Sequence, residues 1–300
     1  PVIQAVANVL DSGVNFQRPS YLELEAAKKF LSVVPGHDMI KFAKNGSSAT
    51  TAAVKLARAF TQRKYVAFPS DHPFYSFDDW FISKTNCPKG VPEEIAALSL
   101  TFLSTDLTTL EDLFRKYPGQ IACVITEPEK SNLNSAEYVK KISSMCKENG
   151  RLFIMDEMVT GFKTDFPGCI KKFGVTPDMA TWGKGIANGF SFCALTGTKE
   201  VMELGGIRKE GEEKVFLLSS THGGETTALA ACIATIEEFE KNDVISHNHR
   251  IGRYFSKKIV EVLSNSSVGK FIVFTESEWM PVFAFKNSQE VICSSYRTLF

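Results

Sequence analysis

Apolar positions along this chain switch repeatedly between a helical spacing and short unbroken runs. In YLELEAAKKFLSVV, residues Leu22, Ala26, Phe30 and Val33 share one helical face. NGSSATTAAVKLARAFT opens with helix-starting residues and continues with Ala53, Leu56, Ala57 and Phe60 aligned, so a second helix begins near Asn45. The run YVAFP that follows has the continuity of a strand buried on both faces. The same order returns in IACVITEP, SAEYVKKISSMCKENG and RLFIMDE, which read as strand, helix ending on Gly150, and strand. DMATWG, SFCALTG and KVFLLSS read as further strands and ETTALAACIATIEEFEKN as a long helix, with another helical pattern from about His249 to Leu263. Strand-helix-strand repetition predicts an α/β protein whose mostly parallel central sheet is joined by crossover helices.

Beyond the polar turn cluster NSSVG the pattern changes, and KFIVFTE and MPVFAFKN alternate like strands of a different sheet. This places residues 1–263 in an N-terminal segment and large domain, and residues 264–300 in the beginning of a smaller α+β C-terminal domain. The chain opens on Pro1 and stops within SSYRTLF, which reads as a fresh helix, so further polypeptide is expected outside these residues.

Composition narrows the partner. With 300 residues and 44% hydrophobic content the chain can bury a sizeable core. Thirty-four basic residues balance 34 acidic ones, so no field of one sign gathers nucleic acid or an anionic membrane, and a small molecule is the expected partner. Seven cysteines without a CxxC pair, most of them inside apolar runs, predict free buried thiols in a reducing cytosol. No apolar run approaches the ~20 residues of a membrane span and no signal segment opens the chain, so a cytoplasmic location is expected.

Open α/β sheets bind ligands beyond the carboxyl ends of their strands, which directs attention to residues just after each apolar run. Asn45, Gly46 and Ser47 open a helix with small residues whose first amides can hold an anion, although a Ser-rich helix cap with no ligand has the same sequence. Asp156 ends the buried run RLFIMD and needs a cationic or hydrogen-bonding partner to stay ionised; binding Mg²⁺ or capping the next helix are its other readings. Lys184 lies between two glycines beside Trp182, where an enclosed tight turn would lower its pKa and free it as a nucleophile, against the plainer reading of a surface-loop lysine. GKGIANG is not the dinucleotide GxGxxG. An HxH pair, His247 and His249, reads as solvated. A phosphate cup, a buried acid and a reactive amine together supply the three contacts that pyridoxal 5'-phosphate requires.

The blocks NGSSATTAAVKLAR, VITEPEKSN, LFIMDEMVTGFK, PDMATWGKGIANG and STHGGETTALAA, in this order, resemble the class III pyridoxal-phosphate aminotransferases, and within them the branch of glutamate-1-semialdehyde 2,1-aminomutase. The resemblance implies the fold-type-I architecture, with Lys184 as the Schiff-base lysine and Asp156 as the partner of the ring nitrogen. It implies Asn45, Gly46 and Ser47 at the cofactor phosphate and Glu127 beside the cofactor. Met158 takes the place of a valine against the ring, and Thr221 reaches the phosphate of the neighbouring subunit in a homodimer with shared sites. Arg18 falls in a loop that lines the substrate entrance and can meet a substrate carboxylate.

Three departures stand out. SDHPFYSFDDWF replaces the family's aromatic-His-Gly, so His72 falls where an aromatic stacks on the ring, with Phe74 as its rival. Ser48 replaces an acidic residue common in the aminomutases, and Glu225 with Thr226 replaces Asn-Pro. The expected function is amino transfer from a donor such as glutamate to a carbonyl acceptor, a semialdehyde or keto-sugar among the candidates. Intramolecular transfer of the aminomutase type is the rival enzyme reading, and a catalytically silent dimeric scaffold the rival outside enzymes.

Overall fold

The structure, a computed structural model, describes residues 1–129, 135–208, 211–215 and 220–299. It divides into two compact units, Pro1–Glu238 and Phe239–Phe300. In the first unit, strands β1 (Met39–Ala43), β2 (Tyr65–Pro69), β3 (Ser99–Phe102), β4 (Ile121–Thr126), β5 (Leu152–Asp156), β6 (Met179–Trp182) and β7 (Cys193–Gly197) form one sheet. Their order is β1-β7-β6-β5-β4-β2-β3. Neighbours from β3 through β6 run parallel, whereas β7 is antiparallel to both β6 and β1. The apolar runs therefore form strands as expected, and the sheet is mostly parallel with an antiparallel edge. The strand expected at KVFLLSS includes positions 216–219, which lie outside the described residues.

Helices α1 (Val2–Leu10) and α2 (Tyr21–Val33) precede the sheet, and α3 (Gly46–Thr61) connects β1 to β2. The alanine-rich face of α3 explains its place. Ala49, Ala52, Ala53, Leu56 and Ala57 are buried, and their small side chains let the helix lie close against β4, β5, β6 and β7. The Ser135–Glu148 helix packs on β4 and β5 through Tyr138, Val139 and Ile142. β4 and β5 are buried at every position, which matches strands covered by helices on both faces. The carboxyl ends of β4, β5 and β6 thus become the rim where chemistry can be presented.

In the second unit the helix Val244–Ser264 accompanies an antiparallel pair, β8 (Ile272–Thr275) and β9 (Val282–Phe285). The unit begins earlier than the 263/264 division read from the sequence because that helix packs within it. Gly252 leaves no room for a Cβ against the Glu278 backbone, and Ser256 Oγ donates to the Ser277 carbonyl at 3.1 Å. His249 lies 3.2 Å from Glu278 and His247 2.9 Å from Arg250, so both histidines have protein partners on this helix and its neighbour. Five of the seven cysteines are buried free thiols, and Cys87 is exposed. Among the described residues no helix is long and apolar enough to cross a membrane.

Candidate active site

Asp156 is the last residue of β5 and Thr181 stands opposite it on β6. Asp156 is 1% exposed, and its Oδ1 accepts from the Thr181 hydroxyl at 2.8 Å and from the Met158 amide at 3.0 Å. Both bonds go to one oxygen; among the described residues no donor reaches Oδ2. Burial pushes this carboxyl up to about 6, while the two hydrogen bonds and the charge of Lys184 pull it back only in part. A buried acid with one oxygen unengaged is suited to a cation that the chain itself does not supply.

Lys184 follows the end of β6 by two residues and opens a single 3-10 turn, Lys184–Ala187, at a left-handed φ of 50°. Trp182 before it is fully buried, but Lys184 is exposed in the single chain, which differs from the enclosed setting expected from the sequence. The reason is positional: in the turn that follows Gly183, Ile186 and Ala187 take the buried positions and the Lys184 side chain is left outside. Burial instead lowers the pKa of a second lysine, Lys163, helped by repulsion from Lys184.

Two glycines create a slot beside this pair. A Cβ on Gly46 would meet Met158 Sδ at 3.1 Å, and one on Gly183 would meet it at 2.5 Å and Cys193 Sγ at 2.8 Å. Met158 thus bridges the start of α3 and the approach to Lys184. Gly183 has an extended φ of −172°, which any residue adopts, so its constraint is purely steric. Gly183→Ala is expected to destabilise the protein by about 1–3 kcal/mol through overpacking, read as a lower urea midpoint, and shortening the neighbour with Met158→Val should return part of the loss.

At the start of α3, Asn45 caps the helix by accepting from the Ser48 amide at 2.9 Å. The cap and anion readings coexist, because the amides of Gly46 and Ser47 have no carbonyl one turn back to bond. Ser47 Oγ accepts from the Phe77 amide at 3.0 Å and keeps its own hydrogen to donate.

Glu127 follows β4, and its amide donates to the Tyr75 hydroxyl at 3.2 Å. His72 is buried, with Nδ1 against the same hydroxyl and 3.8 Å from Glu127 Oε2. Phe74, its rival, is 53% exposed and packs edge-on against Phe81. Arg18 and Thr221 line a different cleft of about 180 Å³ with Lys41 and Ser220. That cleft is tied to the start of α3 by Glu225, which pairs with Lys44 and lies 2.7 Å from His222 Nδ1. Burial opposes the charge on Glu225, but Lys44 and His222 outweigh it and hold the carboxyl below its usual range.

Thr181, Tyr75 and Lys163 are the participants that sequence reasoning passed over. Only Thr181 left a signal, as a hydroxyl within an otherwise apolar strand.

The fold is that of known transaminases. The FumI protein of Sphingopyxis sp. MTA144, in its PLP internal aldimine form, superposes with a TM-score of 0.81 at 24% identity, over 95% of this chain and 67% of that one. An omega-transaminase from Sphaerobacter thermophilus gives 0.80 at 21% identity, over 96% and 72%. The aminotransferase class-III family model matches residues 1–273, and the chain belongs to that family. A relative named glutamate-1-semialdehyde 2,1-aminomutase, from Legionella pneumophila strain Corby, is 31% identical over 316 aligned positions, spanning all of this chain and 72% of its own length. The chain is therefore a pyridoxal-phosphate-dependent enzyme of amino transfer, between molecules or within one.

Proposed function

We propose that this enzyme moves an amino group from a small amino-acid donor such as glutamate to a separate carbonyl acceptor, with Lys184 and Asp156 as its catalytic residues. The observation that carries the reading is the pairing of a buried acid at the end of β5 with an exposed amine just beyond the end of the adjacent β6. Bound pyridoxal phosphate supplies an aldehyde to capture the amino group and a protonated ring to take up the electron pair released when the Cα–H bond breaks. Lys184 Nζ would anchor the cofactor at its aldehyde and would hold the proton taken from the substrate Cα. Asp156, whose Oδ1 is taken up by Thr181 and Met158, would hold a protonated ring nitrogen with its other oxygen. The Gly46 and Ser47 amides and the Ser47 hydroxyl would hold the phosphate, with Asn45 fixing their geometry, while Met158, His72 and Glu127 would contact the ring. Arg18 binds a substrate carboxylate.

Two findings favour transfer between molecules over the aminomutase reaction named for the Legionella relative. Ser48 stands where the aminomutases commonly carry an acid, and its hydroxyl is engaged by Asn45 at 3.1 Å. Glu225 replaces an asparagine and recruits Lys44 and His222. The deciding measurement is stoichiometry in single turnover with a panel of amino donors. Release of one keto acid per amino group accepted supports transfer between molecules, whereas interconversion of one substrate with no donor supports the mutase.

The separate cleft holding Arg18 and Thr221 is read as this chain's contribution to the site of a second copy, in a homodimer with shared sites. Lys184→Ala and Thr221→Ala protomers, each inactive alone as dimers, should recover about a quarter of wild-type activity after unfolding and remixing, because half the dimers are mixed and each has one intact site. No recovery despite subunit exchange would place Thr221 in its own chain's site.

A further inference from the structure

The segment that replaces the family's aromatic-His-Gly carries a polar network of its own. Residues 72–80 leave β2 and lie across the first turns of α3. The Thr50 hydroxyl donates to the Tyr75 carbonyl at 3.0 Å, the Phe77 amide to Ser47 Oγ at 3.0 Å, and the Trp80 indole to Thr51 Oγ1 at 2.8 Å. His72 and Tyr75 are thereby held, both buried, beside the end of β4. Their rings stack with centroids 5.6 Å apart and planes at 23°. The Tyr75 hydroxyl meets His72 Nδ1, accepts from the Glu127 amide, and shares Nδ1 with Glu127 Oε2 at 3.8 Å.

The direction of these bonds follows from the count of hydrogens. A phenol has one; Tyr75 Oη accepts from the Glu127 N–H, and among the described residues His72 Nδ1 is the acceptor within reach of its own hydrogen. Burial, with Glu127, Tyr138 and Asp156 nearby, raises the phenol pKa well above 10 and keeps it a donor. A neutral imidazole whose Nδ1 accepts carries its hydrogen on Nε2.

We propose that Tyr75 is a positioning residue that keeps His72 in the neutral Nε2–H form, fit to pack against a positively charged pyridine ring. This rests on the reading above, in which Asp156 holds the ring nitrogen protonated. An imidazolium at that position would repel the ring, and Glu127 favours one by placing a carboxylate beside Nδ1. Tyr75 and Glu127 therefore compete for the same ring nitrogen, the hydroxyl by donating to it and the carboxylate by attracting a proton onto it.

Tyr75→Phe keeps the aromatic ring and removes the hydrogen. Imidazole ¹⁵N NMR on the full chain without cofactor reads the protonated nitrogen directly. Wild type should carry a proton on Nε2 alone at about pH 7, Tyr75→Phe should gain one on Nδ1, and Tyr75→Phe with Glu127→Gln should revert. In titrations with pyridoxal phosphate, Tyr75→Phe should bind about tenfold more weakly near pH 6 and close to wild type above about pH 8, with the double variant recovering the loss at low pH. A proton on Nδ1 in wild type, or a His72 spectrum unchanged by Tyr75→Phe, overturns the proposal. If borohydride leaves no adduct on Lys184 of the wild type, the cofactor reading fails instead, and the His72 spectrum still decides the role of Tyr75.

Discussion

Lys184→Ala is expected to reduce amino transfer by about four orders of magnitude, the upper range for losing a proton-transferring group, with a covalent anchor removed as well. The variant should still bind pyridoxal phosphate through the amides at the start of α3 and through Asp156, but reversibly. Borohydride reduction followed by digestion should give a pyridoxyl adduct on the TWGKG peptide of wild type and none on the variant. The fold should survive, because Lys184 is exposed and its backbone already sits at a strained left-handed φ that alanine tolerates no worse. A wild-type protein that yields the adduct on Lys163 instead would transfer the anchoring role to that neighbouring amine. Lys163 is the natural competitor, since its burial and the repulsion from Lys184 both favour its uncharged, nucleophilic form.

How far the sequence discloses such a site depends on what hydrophobic patterning can encode. Unbroken apolar runs mark buried strands, so β2, β4, β5 and β6 are legible, and the residues after them carry the chemistry. An apolar run reads alike in both directions, so nothing in CALTG shows that β7 lies antiparallel to its neighbours. β3 escapes because SLTF is four residues long and half-buried on the edge side of β2. The division between units is hidden for a different reason. The helix Val244–Ser264 is amphipathic either way, and its allegiance is set by the close approach of Gly252 to Glu278, a pairing across 26 positions. Within the site, Asp156 is visible as a charge ending an apolar strand, but its partner Thr181 is visible only through the β5–β6 register. Tyr75 is harder still, because its role comes from a strap folded over α3 and from the backbone amide of Glu127, which has no side-chain signature. Enclosure of Lys184 was inferred from Trp182, and that inference fails where the chain turns out of the sheet between them.

Asp156→Asn should have opposite effects on stability and on catalysis. In the chain alone, burial lifts the Asp156 carboxyl from 3.8 to about 6. A carboxyl raised on folding stabilises the native state fully while protonated, below its unfolded value, and that contribution is lost as pH rises through about 6. The shift of about two pKa units corresponds to about 3 kcal/mol at neutral pH. Asparagine has the same shape, can accept the Met158 and Thr181 bonds, and does not ionise. Cofactor-free Asp156→Asn should therefore match wild type below about pH 4 and exceed it by about 1–3 kcal/mol above about pH 7 in urea unfolding. Glu157, also buried and pushed up to about 7, is raised in part by the charge of Asp156, so removing that charge also eases the ionisation of Glu157 and adds to the gain of the variant at higher pH. With pyridoxal phosphate the order reverses. A protonated ring nitrogen brought to Oδ2 compensates the buried charge, so the cofactor should stabilise wild type more at pH 8 than at pH 5, a gain the variant lacks. The asparagine amide would turn an N–H toward the ring nitrogen and leave it unprotonated, lowering turnover by about two to three orders of magnitude. Wild-type turnover in a variant with the altered stability profile would reduce Asp156 to a structural strand-end acid and remove the ring-nitrogen contact from the site.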